Sequence, residues 1–158
     1  MPSQTEVPQP MLVSACLLGL ATRYDGGHCR LDGLWELAAR GLIVPICPEV
    51  AGGLPTPRPP AECQGGDGAA VLDGRAAVRT CHGDDVTAAF LAGARAALEA
   101  ARALGIRRAL LKEYSPSCGS RWIYDGSFRS RLVPGQGVTA ALLRRHGIEV
   151  LSEEEWEK

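Results

Sequence analysis

Met11-Leu12-Val13-Ser14-Ala15-Cys16-Leu17-Leu18-Gly19 is a short apolar run that closes on a cysteine and a glycine turn. Met11–Ala15 is too short for a stable helix and reads as a buried β-strand, with Cys16 just past its carboxyl end. The pattern recurs twice. Leu42-Ile43-Val44-Pro45-Ile46 runs into Cys47-Pro48-Glu49-Val50, and Arg108-Ala109-Leu110-Leu111-Lys112-Glu113 runs into Ser115-Pro116-Ser117-Cys118-Gly119. Pro45 removes a ladder donor, so the second strand is expected to be irregular there.

Helical patterns separate these strands. Leu34–Arg40 precedes a Gly41 stop. From Asp84-Asp85 to Gly105, residues Val86, Phe90, Ala94, Ala97, Ala101 and Leu104 recur at three- and four-residue steps on one helical face. Gly137–His146 gives a last helix before Gly147, and Ile148–Leu151 a last strand. Ala70–Leu72 and Ala76–Thr80 flank Asp73-Gly74, which predicts a hairpin. Residues 51–68 are rich in Gly and Pro and predict a long loop serving as a lid or binding loop. Alternating strands and helices give an α/β fold: a single-domain three-layer sandwich with a mostly parallel sheet and a small β-hairpin insertion. The expected division is a disordered tail over 1–10 and one domain over 11–158. In such sheets ligands bind beyond the carboxyl ends of the strands, where Cys16, Cys47 and Cys118 would meet.

With 158 residues, 46% of them apolar, the chain is long enough for one well-buried core. Its 17 basic and 18 acidic residues are interspersed and leave a net charge of -1, so no field exists to hold a nucleic acid polymer. Neither a secretory leader nor an apolar stretch of membrane-spanning length is present in the sequence, which points to the cytoplasm and no membrane partner. In a reducing compartment, six cysteines speak for metal binding or catalysis rather than disulfides.

No Cys-x-x-Cys pair occurs, so any metal centre must be assembled from distant segments. Cys16, Cys47 and Cys118 suit an incomplete zinc site or a [4Fe–4S] cluster with one iron lacking a protein ligand; sulfur donors alone do not choose. Each could instead be an ordinary buried thiol. Cys29, Cys63 and Cys81 have no recurring frame and read as incidental, with Cys63 the first choice for a hidden fourth ligand. Glu49, two residues past Cys47 and stiffened by Pro48, is a candidate general acid or base. Ser115 is a candidate proton relay in a stiff turn.

These frames, together with Arg23-Tyr24-Asp25-Gly26, Cys47 through Leu54, Thr56-Pro57-Arg58-Pro59-Pro60-Ala61-Glu62 and Ile123-Tyr124-Asp125-Gly126-Ser127-Phe128, resemble the thiouracil desulfidase family in order over residues 11 to 152. The resemblance implies a [4Fe–4S]-dependent enzyme that takes sulfur from a thionated pyrimidine, a small-molecule thionated base, and releases hydrosulfide. It implies Cys16, Cys47 and Cys118 as cluster ligands with one open iron, and Glu49 and Ser115 as catalytic residues. Arg23, Asp25, Arg58 and Glu62 are candidates for holding the base. Two other readings stay in play: a zinc hydrolase or deaminase acting on a nucleobase, and a noncatalytic iron–sulfur sensor or accessory protein.

Overall fold

The computed structural model describes residues 9–27, 30–31 and 33–156. Most of the expected tail, and with it His28 and Cys29, lies outside the described residues. The central sheet holds β1 (Met11–Ser14), β2 (Ile43–Ile46), β5 (Arg108–Leu111) and β8 (Glu149–Ser152) in the order β2-β1-β5-β8. All three pairings are parallel. β2 lies at one edge and pairs regularly with β1 through Val13 opposite Pro45, so the expected irregularity does not arise. An edge strand can spare the missing N–H.

Side chains alternate between two apolar layers, as a sheet covered on both faces requires. Leu12, Ala109, Leu111 and Val150 pack with Ala97, Leu98 and Ala101 of helix α4 (Thr87–Leu104) and Ala140 and Leu143 of helix α5 (Val138–Arg145). Met11, Val13 and Leu110 face the other way, onto Leu17, Leu34 and Leu37 of helix α1 (Leu34–Ala39), and Trp156 of helix α6 (Glu153–Trp156). The three-layer α/β reading therefore holds. Among the described residues no helix is long and apolar enough to cross a membrane.

The segment between β2 and α4 differs from expectation. The Gly/Pro-rich stretch follows a short helix, α2 (Pro48–Ala51), and contains strand β3 (Ala61–Gln64), so the loop proper is shorter than expected. β3 pairs antiparallel with β4 (Ala77–Thr80). The supposed first hairpin strand is helix α3 (Gly68–Leu72). Asp67 decides this: its carboxylate accepts the N–H groups of Ala69 and Ala70 at 3.1 and 3.3 Å, an N-cap that offers the first turn its missing acceptors. Gly74, at φ 78°, ends that helix rather than turning a hairpin. A second antiparallel pair joins β6 (Trp122–Tyr124) with β7 (Leu132–Pro134).

A candidate sulfur-lined active site

The carboxyl ends of β1, β2 and β5 open onto one pocket of about 480 Å³, within the range of small-molecule sites. Cys16, Cys47 and Cys118 all line it, together with Glu49, Ser115, Ser117, Arg23, Arg58 and Glu62. Each thiol arrives differently. Cys16 sits in a single 3₁₀ turn, Ala15–Leu18, that follows β1 directly. Cys47 caps α2, with Pro48 at the first helical position. Cys118 closes the turn after β5, where its N–H donates to Ser115 Oγ at 2.7 Å. The loop carrying it is seated on the start of α5, whose Val138 and Thr139 N–H groups donate to the carbonyls of Pro116 and Ser117, each at 2.8 Å.

Glu49 is gripped from both sides. Arg58 Nε donates to one carboxylate oxygen at 3.0 Å, and Ser117 Oγ donates to the other at 2.8 Å. Ser115 Oγ lies 3.2 Å from Ser117 Oγ, which completes a row from Ser115 through Ser117 to Glu49. Because the Ser117 proton points at a carboxylate that can only accept, its lone pairs face Ser115. The row runs one way.

Arg58 spends its whole guanidinium inside the protein. Besides Glu49 it reaches the carbonyls of Thr22 and Pro55, the hydroxyl of Thr56 and, at 3.9 Å, the sulfur of Cys47. Its side chain is 5% exposed and that of Glu49 13%. Arg58 therefore orients Glu49 and ties the 22–27 loop to the Pro-rich loop, and has no donor left for a base. Glu62 is engaged through one carboxylate oxygen, which accepts the N–H groups of Gly126 and Phe128 at 2.8 and 3.1 Å. Arg23 faces the pocket, whereas Asp25 accepts the Gly27 N–H in an exposed turn and is not among the lining residues.

The cysteines of the described residues form no disulfide. Burial pushes the Cys118 thiol up to about 12, opposed by the neighbouring hydroxyls of Ser117 and Ser14 and helped by the nearby Cys47 and Glu49. Such a group stays protonated until a cation displaces the proton. Among the described residues no three His, Cys, Asp or Glu side chains converge on a point as ligands of one metal ion must. The three thiols instead border a shared space. Such a donor set suits an inorganic core of several iron atoms, each taking one thiolate. Cys63 does not join them: it is packed among Val71, Val78, Phe90 and Ile123 and is absent from the pocket wall. Burial, then the charges of Asp67, Glu49 and Glu62, raise its thiol to about 12. Cys81 is exposed and lines the pocket.

Residues 11–155 match the 2-thiouracil desulfurase family. The chain belongs to this family. A curated relative, the uncharacterized protein YbbK of Bacillus subtilis (strain 168), is 45% identical over 145 residues, covering 92% of this chain and 96% of the relative. A solved structure, the [4Fe-4S]-dependent thiouracil desulfidase TudS (DUF523Vcz), is 52% identical, covers 94% of this chain and 93% of that one, and superposes with a TM-score of 0.85. For this member of the 2-thiouracil desulfurase family, sequence reading brought Cys16, Cys47, Cys118, Glu49 and Ser115 to one place and missed Ser117. The signal was present: Ser115-Pro116-Ser117 sets two hydroxyls either side of a residue with fixed φ, but hydroxyls in such a turn usually serve the turn itself.

Proposed function

We propose that this chain is a [4Fe–4S]-dependent desulfidase that removes sulfur from a thionated pyrimidine of the 2-thiouracil kind and releases it as hydrosulfide. Cys16, Cys47 and Cys118 are the cluster ligands, one iron is left without a protein ligand, and Glu49 and Ser115 are the catalytic residues. The observation that carries the reading is the meeting of three thiols from three strand ends with an oriented carboxylate in one pocket. Membership of the 2-thiouracil desulfurase family and the likeness to a [4Fe-4S]-dependent thiouracil desulfidase support it.

When bound, a cluster with an open iron supplies a Lewis acid that draws electron density from a C=S bond and leaves the ring carbon open to water. The chain supplies the rest. Ser115, at the far end of the hydroxyl row from Glu49, takes a proton from an attacking water and releases its own to Ser117, which in turn releases its own to Glu49. Arg58 keeps the carboxylate aimed along that row. The same groups return a proton to the ring nitrogen or to the departing sulfur.

The test is anaerobic reconstitution with iron and sulfide, followed by assay of 2-thiouracil conversion and sulfide release. Single Cys16→Ala, Cys47→Ala and Cys118→Ala variants are expected to lose the brown chromophore and turnover together. Full cluster content and activity in all three would reject the ligand set. Stoichiometric zinc in protein purified without oxygen would favour the hydrolase reading instead.

A further inference from the structure

Four aromatic rings line the pocket: Tyr24, Tyr114, Tyr124 and Phe128. Three already have a π neighbour. Tyr114 and Tyr124 pack on each other with centroids 6.5 Å apart, Tyr114 also lies under the Lys112 ammonium, and Tyr24 lies under the Arg23 guanidinium. Among the described residues Phe128 has neither an aromatic nor a cationic partner on its ring. It is half-buried and lines the pocket.

Its backbone is held at some cost. Phe128 has φ 59°, and Ser130, two residues on, has φ 59° as well. L-residues avoid this left-handed region unless surrounding structure imposes it, and such imposed conformations gather at binding sites. Here the imposing groups are visible. The buried Glu62 of β3 accepts both the Phe128 and the Gly126 N–H, Gln64 of the same strand donates to the Gly126 carbonyl at 2.9 Å, and Asp125 N–H closes the loop onto the Arg131 carbonyl at 2.9 Å. A buried carboxylate accepting two backbone donors is a stiff anchor for a loop whose other function is not evident. What it fixes is the position of one ring.

We propose that Phe128 is the platform against which the substrate's pyrimidine ring stacks, and that Glu62 is the positioning residue that holds it there. This rests on the desulfidase reading for the identity of the base. A flat thionated ring has a π face whatever its ring substituents, so a phenyl platform binds the class and leaves the choice of reacting C=S to the sulfur-lined end of the pocket. Arg58 and Glu62, the earlier candidates for base contacts, thereby become positioning residues for Glu49 and for Phe128.

The experiment uses the reconstituted holoenzyme, with turnover of 2-thiouracil and equilibrium dialysis of uracil as separate readouts. Phe128→Leu is expected to raise both KM for 2-thiouracil and Kd for uracil about tenfold or more, with kcat within about threefold and iron content unchanged. Phe128→Tyr restores both constants, and Glu62→Ala reproduces the binding loss. A KM and Kd unchanged in Phe128→Leu, with the parent enzyme active, overturn the platform and leave the activity standing. A parent protein that binds uracil through Phe128 but never turns over 2-thiouracil upholds the platform and sinks the desulfidase reading. Loss of soluble protein or of cluster in both Phe128→Leu and Phe128→Met makes the ring a structural one and overturns the proposal.

Discussion

Each oxygen of Glu49 carries one hydrogen bond, from Arg58 on one side and Ser117 on the other. Of these two partners only the Ser117 hydroxyl can hand a proton to the carboxylate, because a guanidinium keeps its own. Replacing Ser117 by alanine leaves Glu49 paired with Arg58 and leaves Cys16, Cys47 and Cys118 in place, but breaks the row at its middle. Ser117→Ala is expected to keep its iron and sulfide content and its KM within about threefold, while kcat falls about a hundredfold, the scale of one positioned proton transfer. Ser117→Thr, which keeps the hydroxyl, is expected to recover part of kcat; an unchanged kcat in the alanine variant would take the row out of the chemistry. At this scale the sequence was legible for residues whose type alone signals chemistry, such as the three cysteines and Glu49. It was opaque for Ser117, Arg58 and Glu62, because what distinguishes them is the direction of a hydrogen bond across 68, 9 and 64 positions of chain.

Helix α2 brings Cys47 and Glu49 to the pocket, and it is only four residues long, too short to hold itself. Its support is the backbone of α4. A methyl group on Gly93 would stand 1.8 Å from the Pro48 carbonyl oxygen, and one on Gly52 would stand 2.0 Å from the Ala89 carbonyl oxygen. Two glycines thus let the two backbones touch next to the site. Helix propensity alone makes Gly93→Ala stabilising by about 1 kcal/mol. A clash with backbone cannot be relieved by turning a side chain, and overpacking of this kind costs about 1–3 kcal/mol or more, so the clash decides the sign. Gly93→Ala is expected to lower Tm by several degrees, at about 2–4 °C per kcal/mol for a chain of this size, and to reduce cluster loading because Cys47 moves with α2. A raised Tm with full loading would show that α2 is not seated by this contact. The elements themselves were legible where period and stop signals agreed, as in α4 with its Gly105 end. They were misread where a cap outweighed a turn signal: Asp67, silent in the hydrophobic pattern, made 68–72 a helix and left β4 to pair with β3.

Across the molecule, the parallel sheet order could be argued from alternation of strands and helices, but what closes its carboxyl edge could not. That closure is built on carboxylates. Glu113, just past β5, has a fully buried side chain that accepts the N–H groups of Ser120, Arg121 and Trp122 at 2.8, 3.1 and 3.2 Å and the Ser120 hydroxyl at 3.0 Å. Glu153 of α6 accepts the Glu113 N–H at 2.7 Å and pairs with Lys112 at 2.6 Å, and the Tyr114 hydroxyl donates to Glu154. Burial alone would raise the Glu113 carboxyl, but the backbone N–H groups of Arg121, Trp122 and Ser120 and the Ser120 hydroxyl outweigh it and hold the carboxyl below its ordinary 4.5. A folded-state value below the unfolded one means a contribution fully present above about pH 5 and lost progressively as pH falls through the lower folded value. Glu113→Gln keeps the shape, removes the charge and turns one acceptor into a donor facing Ser120. The variant is expected to be less stable by about 1–3 kcal/mol at pH 7, with the gap to the parent narrowing steadily between about pH 4.5 and pH 3. Urea unfolding followed by tryptophan fluorescence at several pH values, with both proteins stripped of metal so that acid release of a cluster does not enter, measures that gap. Parallel stability profiles for parent and variant over this range would show that Glu113 titrates alike in both states.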